Sequence, residues 1–157
     1  MELTKLPRPK AIGGLTVKAM TGCGPLYIQM NWCNGKLFEV FATLGKTGGC
    51  ATSQSEAVTR SVTMGLRHGV PLAEYVRQLS GIRCPNPYPF PKSEAVLSCA
   101  DALAKTLERY GTLTIEEVVK LIQATNSTGE VLTETEEGKR AEETIAQLAK
   151  EREEQDL

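Results

Sequence analysis

The sequence predicts an α+β domain: a small antiparallel sheet, made of a β-hairpin and at least one further strand, covered by three to four helices and followed by an acidic helix or tail. Three observations carry that reading. LYIQMNWC and KLFEVFA are runs of alternating apolar residues joined by Asn34-Gly35, the dipeptide that accepts positive φ at both positions of a two-residue hairpin turn. From about Ala51 the apolar period changes from two to near 3.6. Residues 134–157 hold four Lys/Arg against nine Asp/Glu, whereas residues 1–133 hold fourteen against ten.

The elements follow in order. LTVKAM at 15–20 reads as a strand that extends the hairpin, with Gly22 to Pro25 as the connection, because an isolated hairpin is marginal in water. With a two-residue turn, Ile28, Met30 and Trp32 share a face with Leu37 and Phe41, and that face is expected in the core. Val58, Val62 and Leu66 recur every four residues in a helix over about 51–67, which His68-Gly69 closes as a C-cap. Pro71 opens a second helix with the stripe Leu72, Tyr75, Val76 and Leu79, ended by Gly81.

Residues 84–92, CPNPYPFPK, contain four prolines, which remove donors and set φ, so they form a connector. A third helix is expected over about 98–110, burying Ala102, Leu103 and Leu107. Thr114 with Glu117, flanked by Leu113 and Val118, is a capping box with a hydrophobic staple and starts a fourth helix over 115–124. NSTGE at 126–130 is a linker. A last helix from about Glu134 has only Ala141, Ile145 and Leu148 as an apolar stripe, too little to be stable alone. The organisation is thus a domain over 1–125 and a linker with an acidic helical tail over 126–157.

A chain of 157 residues, 41% of them hydrophobic, closes one modest core. There is no run long and apolar enough for a membrane span, and no h-region behind the basic residues of MELTKLPRPKAIGG, so a cytoplasmic protein is expected. In that compartment five cysteines are reduced rather than bridged. The Lys and Arg residues of the main domain are too few and too dispersed for a nucleic-acid surface.

Two stretches carry candidate chemistry. Gly45-Lys46-Thr47 looks like the end of a phosphate-binding loop, but that pattern requires glycine at position 40, where Val40 stands. What survives is a weaker anion site: Lys46, Thr47, Gly48 and Gly49 precede a helix whose N-terminal N–H groups and dipole favour negative charge. A plain turn explains the same residues. The second stretch is distributed. Cys23 lies in a Gly-Cys-Gly turn, Cys50 and Cys99 each start a helix, and Cys84 follows one, so all four sit at element ends where loops can gather thiols around a metal. No C-x-x-C pair is present, and free half-buried thiols are the alternative. Cys33, beside the hairpin turn, stands apart.

RPKAIGGLTVKAMTGCGPLYI, FEVFATLGKTGGCA, the helix with Arg60 ahead of LRHGVPLAEYVRQLSGIRCP, and SCADALAKTLERYG together resemble the TSCPD domain, found mostly near the C-terminus of cobalamin-dependent (class II) ribonucleotide reductases. The likeness covers roughly residues 8–111, in the family's order. The name-giving motif stands as Leu97-Ser98-Cys99-Ala100-Asp101, without the threonine and proline, and the hairpin turn is shorter than in many members. Cys23, Cys50, Cys84 and Cys99 fall at family motif positions, and the resemblance implies a shared role for them, best met by one zinc ion.

The resemblance does not bring the reductase itself. Its catalytic barrel needs several hundred further residues, and the tail EREEQDL lacks the C-x-x-C that relays electrons at reductase C-termini. The expectation is therefore a free-standing, non-catalytic accessory or regulatory module, zinc-stabilised, that binds a ribonucleotide reductase or another protein in trans. The alternative is a stand-alone protein that senses or sequesters a nucleotide or phosphate ligand through Lys46 to Gly49. Self-association into a homo-oligomer is compatible with either.

Overall fold

The computed structural model describes residues 4–45, 49–88, 95–123 and 143. The chain divides after Thr114 into two compact units. In the first, strands β1 (Gly13–Thr21), β2 (Gly24–Cys33) and β3 (Lys36–Leu44) form one antiparallel sheet in the order β1-β2-β3. The β2–β3 turn is the one its dipeptide demands, with Asn34 at φ 52° and Gly35 at φ 73°. Helices α1 (Cys50–Arg67), α2 (Leu72–Leu79) and α3 (Cys99–Tyr110) complete the unit. The second unit begins with α4 (Ile115–Gln123), in which Val118 and Leu121 are buried. The fold is α+β, as the sequence predicts. The linker at 126–130 and the stripe expected at Ala141, Ile145 and Leu148 lie outside the described residues.

One face of the sheet is the core. Leu15 of β1, Leu26, Ile28, Met30 and Trp32 of β2, and Leu37, Val40, Ala42 and Leu44 of β3 are buried there. The expectation for Phe41 is corrected by the register. Asn31 faces Glu39 but Trp32 faces Leu37, so Phe38 is an extra residue in β3. A bulge of one residue inverts the alternation beyond it. Val40 therefore faces Met30 at 0% exposure, while Phe41 faces Gln29 on the outer side at 42%.

Helix α1 packs against β3, and α3 against β1 and β2, with α2 lying on α3. The buried face of α1 is more polar than its apolar stripe suggests: Val62 is buried, but Val58 and Leu66 are only half-buried, and Ser55 and Thr59 are buried with it. Those hydroxyls donate to the carbonyls of Ala51 and Ser55 one turn back, at 2.8 and 3.0 Å, so their burial leaves no donor unmet. Gly69, at φ 85°, ends the helix as expected, with Val70 N–H donating back to Gly65 O at 2.9 Å. In α3 the buried set includes the expected Ala102, Leu103 and Leu107, and adds Asp101, Ala104, Thr106 and Tyr110.

The outer face of the sheet is covered at one end by the N-terminal arm. Arg8 grips Glu39 through two bonds, Nε at 2.8 Å and Nη2 at 2.9 Å, and Asn31 Nδ2 donates to the same carboxylate at 2.8 Å. Leu6 N–H donates to Arg67 O, and the Arg67 guanidinium returns two bonds to Leu6 O while lying over the bulged Phe38 ring, 5.2 Å from its centroid. Burial alone would raise the Glu39 pKa, but the bonds from Arg8 and Asn31 outweigh it and hold the carboxyl below its ordinary value. Among the described residues, no helix is long and apolar enough to cross a membrane.

Candidate functional site

The motif Leu97-Ser98-Cys99-Ala100-Asp101 builds the start of α3. Ser98 is the N-cap: its hydroxyl accepts from Asp101 N–H at 3.1 Å and donates to Ile82 O at 2.6 Å. Asp101, 1% exposed, reaches back out of the helix. Its two carboxylate oxygens accept from Gly81 N–H at 2.8 Å, Leu97 N–H at 3.0 Å and Lys105 Nζ at 2.7 Å. Desolvation opposes its ionisation, but the bonds from Leu97, Lys105 and Gly81 prevail, so its pKa is lowered. One carboxylate thus clamps Gly81 to Leu97, residues that flank the proline-rich connector on either side.

That clamp positions a thiol. Inside the clamp, Cys84 N–H donates to Leu97 O at 3.0 Å and Tyr88 N–H to Val96 O at 2.8 Å, laying residues 84–88 beside Val96 and Leu97 ahead of α3. On its other side, Asn86 Nδ2 donates to Gly22 O, and a Cβ at position 22 would come within 1.8 Å of Asn86 O. Only glycine permits that approach. The result is a single cavity of about 230 Å³ at which Cys23, Cys84 and Cys99 meet, walled otherwise by side chains such as Leu26, Val58 and Leu103.

Three of the four expected site cysteines are therefore gathered. Burial, then repulsion from the Cys99 and Cys84 thiols, pushes the Cys23 thiol above its ordinary pKa. The Cys99 thiol lies 3.8 Å from the Thr21 hydroxyl, which itself accepts from Cys23 N–H at 3.2 Å and so ties the loop after β1 to α3. Cys50 is exposed and does not line the cavity, although its neighbour Ala51 does. Among the described residues, no three or more His, Cys, Asp or Glu side chains are grouped closely enough to hold a metal ion. The donor set suits a thiophilic ion in kind, three thiols at one cavity, but a closed site needs Cys50 to turn inward and the thiols to contract around the ion.

Cys33 lines a separate groove at the hairpin-turn end of the sheet. The chain's one histidine, His68, is at the end of α1 with Nδ1 2.7 Å from Met64 O, away from the thiols. Of the anion-site residues, Lys46, Thr47 and Gly48 lie outside the described residues. Gly49 takes the N-cap position of α1 at φ 99° with no side-chain cap bond. Asp101 and Ser98 are positioning residues that no expectation from the sequence named. Their signal was present, since Ser three residues ahead of an acidic residue at a helix start is a capping pattern, but the buried bonds to Gly81 and Ile82 are not visible in it.

A cysteine-lined cavity organised by a Ser-Cys-x-Asp helix start, on a three-stranded sheet, defines a small cysteine-bearing α+β module. The chain belongs to the TSCPD domain family, whose model matches residues 2–111. No solved structure matches the chain. The chain's departures from the name-giving motif fall where they cost little. At Leu97 the clamp uses only the backbone N–H, and Ala100 sits in the first helical turn, where the N–H has no intrahelical partner whichever residue carries it.

Proposed function

We propose that this chain is a non-catalytic accessory or regulatory module linked to ribonucleotide reductase, stabilised by zinc and acting by binding a protein partner. The observation that supports it best is the meeting of Cys23, Cys84 and Cys99 at one cavity, with Cys50 adjacent to the cavity residue Ala51. The ion would be held by Cys23, Cys50, Cys84 and Cys99. Its charge would offset the mutual repulsion of the thiolates, and it would tie together four element ends. A site closed by four thiolates keeps no coordination position for substrate, so its work is structural, and the function then lies in the surface it makes rigid. The link to the reductase rests on family membership.

The test is metal analysis of purified full-length chain, together with thermal melting of single Cys→Ser variants. About one zinc per chain is expected. Serine at 23, 50, 84 or 99 should lower both the zinc content and the melting temperature, and Cys33→Ser should change neither. Folded protein that takes up no zinc at neutral pH removes the metal. Binding of a purified class II reductase, read by calorimetry, tests the partner. A nucleotide and phosphate titration in the same instrument tests the alternative ligand reading at Lys46 to Gly49.

A further inference from the structure

The two edges of the sheet are finished differently. On β3, helix α1 packs alongside and one of its hydroxyls takes both outward groups of Val40: Thr63 Oγ1 accepts from Val40 N–H and donates to Val40 O, both at 2.9 Å. On β1 the register pairs Leu15 with Met30, Val17 with Ile28 and Ala19 with Leu26. Gly45 N–H donates to Pro25 O, so the odd-numbered residues of β2 turn their backbone groups toward β3. The even-numbered ones, Leu26, Ile28 and Met30, then turn theirs toward β1 and meet those of Ala19, Val17 and Leu15. By the same alternation, the N–H and C=O groups of Gly14, Thr16, Lys18 and Met20 point away from the sheet, and among the described residues none of them is bonded.

A nine-residue edge without proline, bulge or covering bond is a template for another strand. We propose that β1 is a self-association edge: two copies pair β1 with β1 antiparallel about a two-fold axis at Val17, joining two three-stranded sheets into one. The outward set of β1 is self-complementary, which favours a second copy as the occupant. Outward-facing residues must pair with outward-facing residues, and centring on Val17 matches every one of them, Gly14 with the partner's Met20 and Thr16 with the partner's Lys18. Centring on Lys18 instead would set ammonium against ammonium, and centring on either Thr16 or Lys18 would leave an outward residue of each strand unpaired.

Side chains follow the same fit. The long Met20 lies beside a glycine, Leu15 beside the partner's Ala19, and Val17 beside its own symmetry mate. Val17 and Ala19 are only half-buried, although they lie on the face that forms the core, and the added sheet covers them. Nothing in this pairing depends on whether the thiols hold metal.

Sedimentation velocity of the full chain under reducing conditions, from low to high micromolar concentration, tests it. The natural sequence should dimerise with rising concentration. Thr16→Pro removes an outward N–H that β2 does not use, so it should raise the dimer Kd by about tenfold or more, with far-UV circular dichroism unchanged. Thr16→Glu places a carboxylate beside the partner's Lys18 twice per dimer and should tighten association, with the gain lost at high salt. A chain that is monomeric throughout overturns the proposal. So does a dimer indifferent to Thr16→Pro, or one that Thr16→Glu weakens.

Discussion

Asp101→Asn replaces the buried clamp with a group of the same shape and no charge. The carboxylate accepts three bonds, at 2.8 Å from Gly81 N–H, 3.0 Å from Leu97 N–H and 2.7 Å from Lys105 Nζ. Its two oxygens are shared, Oδ1 with Gly81 and Oδ2 with Leu97 and Lys105, so an amide must turn its NH2 toward a donor on one side or the other. The loss is therefore the charge assistance of the bonds that remain, plus a buried N–H left facing another donor, each about 1–3 kcal/mol. Lys105 is half-exposed and re-solvates, which keeps the sum toward the lower end, about 3 kcal/mol at pH 7. Urea denaturation of the full chain should read that loss as a lower midpoint.

The pH dependence is a second, independent readout of the same variant. The Asp101 pKa is lower in the folded chain than in the unfolded one, so the unfolded state binds more protons and stability rises with pH. The contribution is complete above the ordinary aspartate value, about 3.9, and is lost as pH falls through the folded value. Asp101→Asn should therefore lie well below the natural protein at pH 7 and converge on it in acid. It should also speed the reaction of Cys84 with a thiol reagent, because the connector is no longer held at both ends. A variant within about 0.5 kcal/mol of the natural protein at pH 7, the range of ordinary surface substitutions, would refute the clamp, as would one that keeps the full acid limb.

Arg8→Ala leaves the 1%-exposed Glu39 with Asn31 as its remaining close donor, so the Glu39 pKa should rise toward its unfolded value; the variant should be less stable than the natural protein at pH 7 and converge on it as pH falls, measured by urea midpoints from pH 3 to 7. The bulge makes neighbouring residues unequal. Met30→Ala, at 0% exposure, should cost about 2–5 kcal/mol in the same assay, while Phe41→Ser should cost under about 1 kcal/mol, and equal losses would mean that the alternation is not inverted at Phe38.

Much of this protein was legible from residues a few positions apart. Asn34-Gly35 specifies its turn because positive φ at both positions suits few other dipeptides, and the change of period near residue 50 marks the passage from sheet to helices. Gly69 and Pro71 place helix ends by backbone preferences that act within one turn. The four cysteines were recognisable as candidates because each stands at such an end.

What only the tertiary structure decided depends on groups far apart in the chain. The bulge at Phe38 is held by α1, whose Thr63 hydroxyl bonds the Val40 backbone and whose Arg67 covers the bulged ring, so no pattern inside β3 announces it. Glu39 is buried because Arg8, 31 residues earlier, crosses the sheet to meet it. Cys23, Cys84 and Cys99 share a cavity, while Cys50 is exposed, because Asp101 and Gly22 fix where the connector runs. A turn or a cap is a preference of the local backbone and is written locally. A buried charge or a gathered set of thiols exists only when folding supplies partners from elsewhere, since burial without them would cost more than the chain could recover.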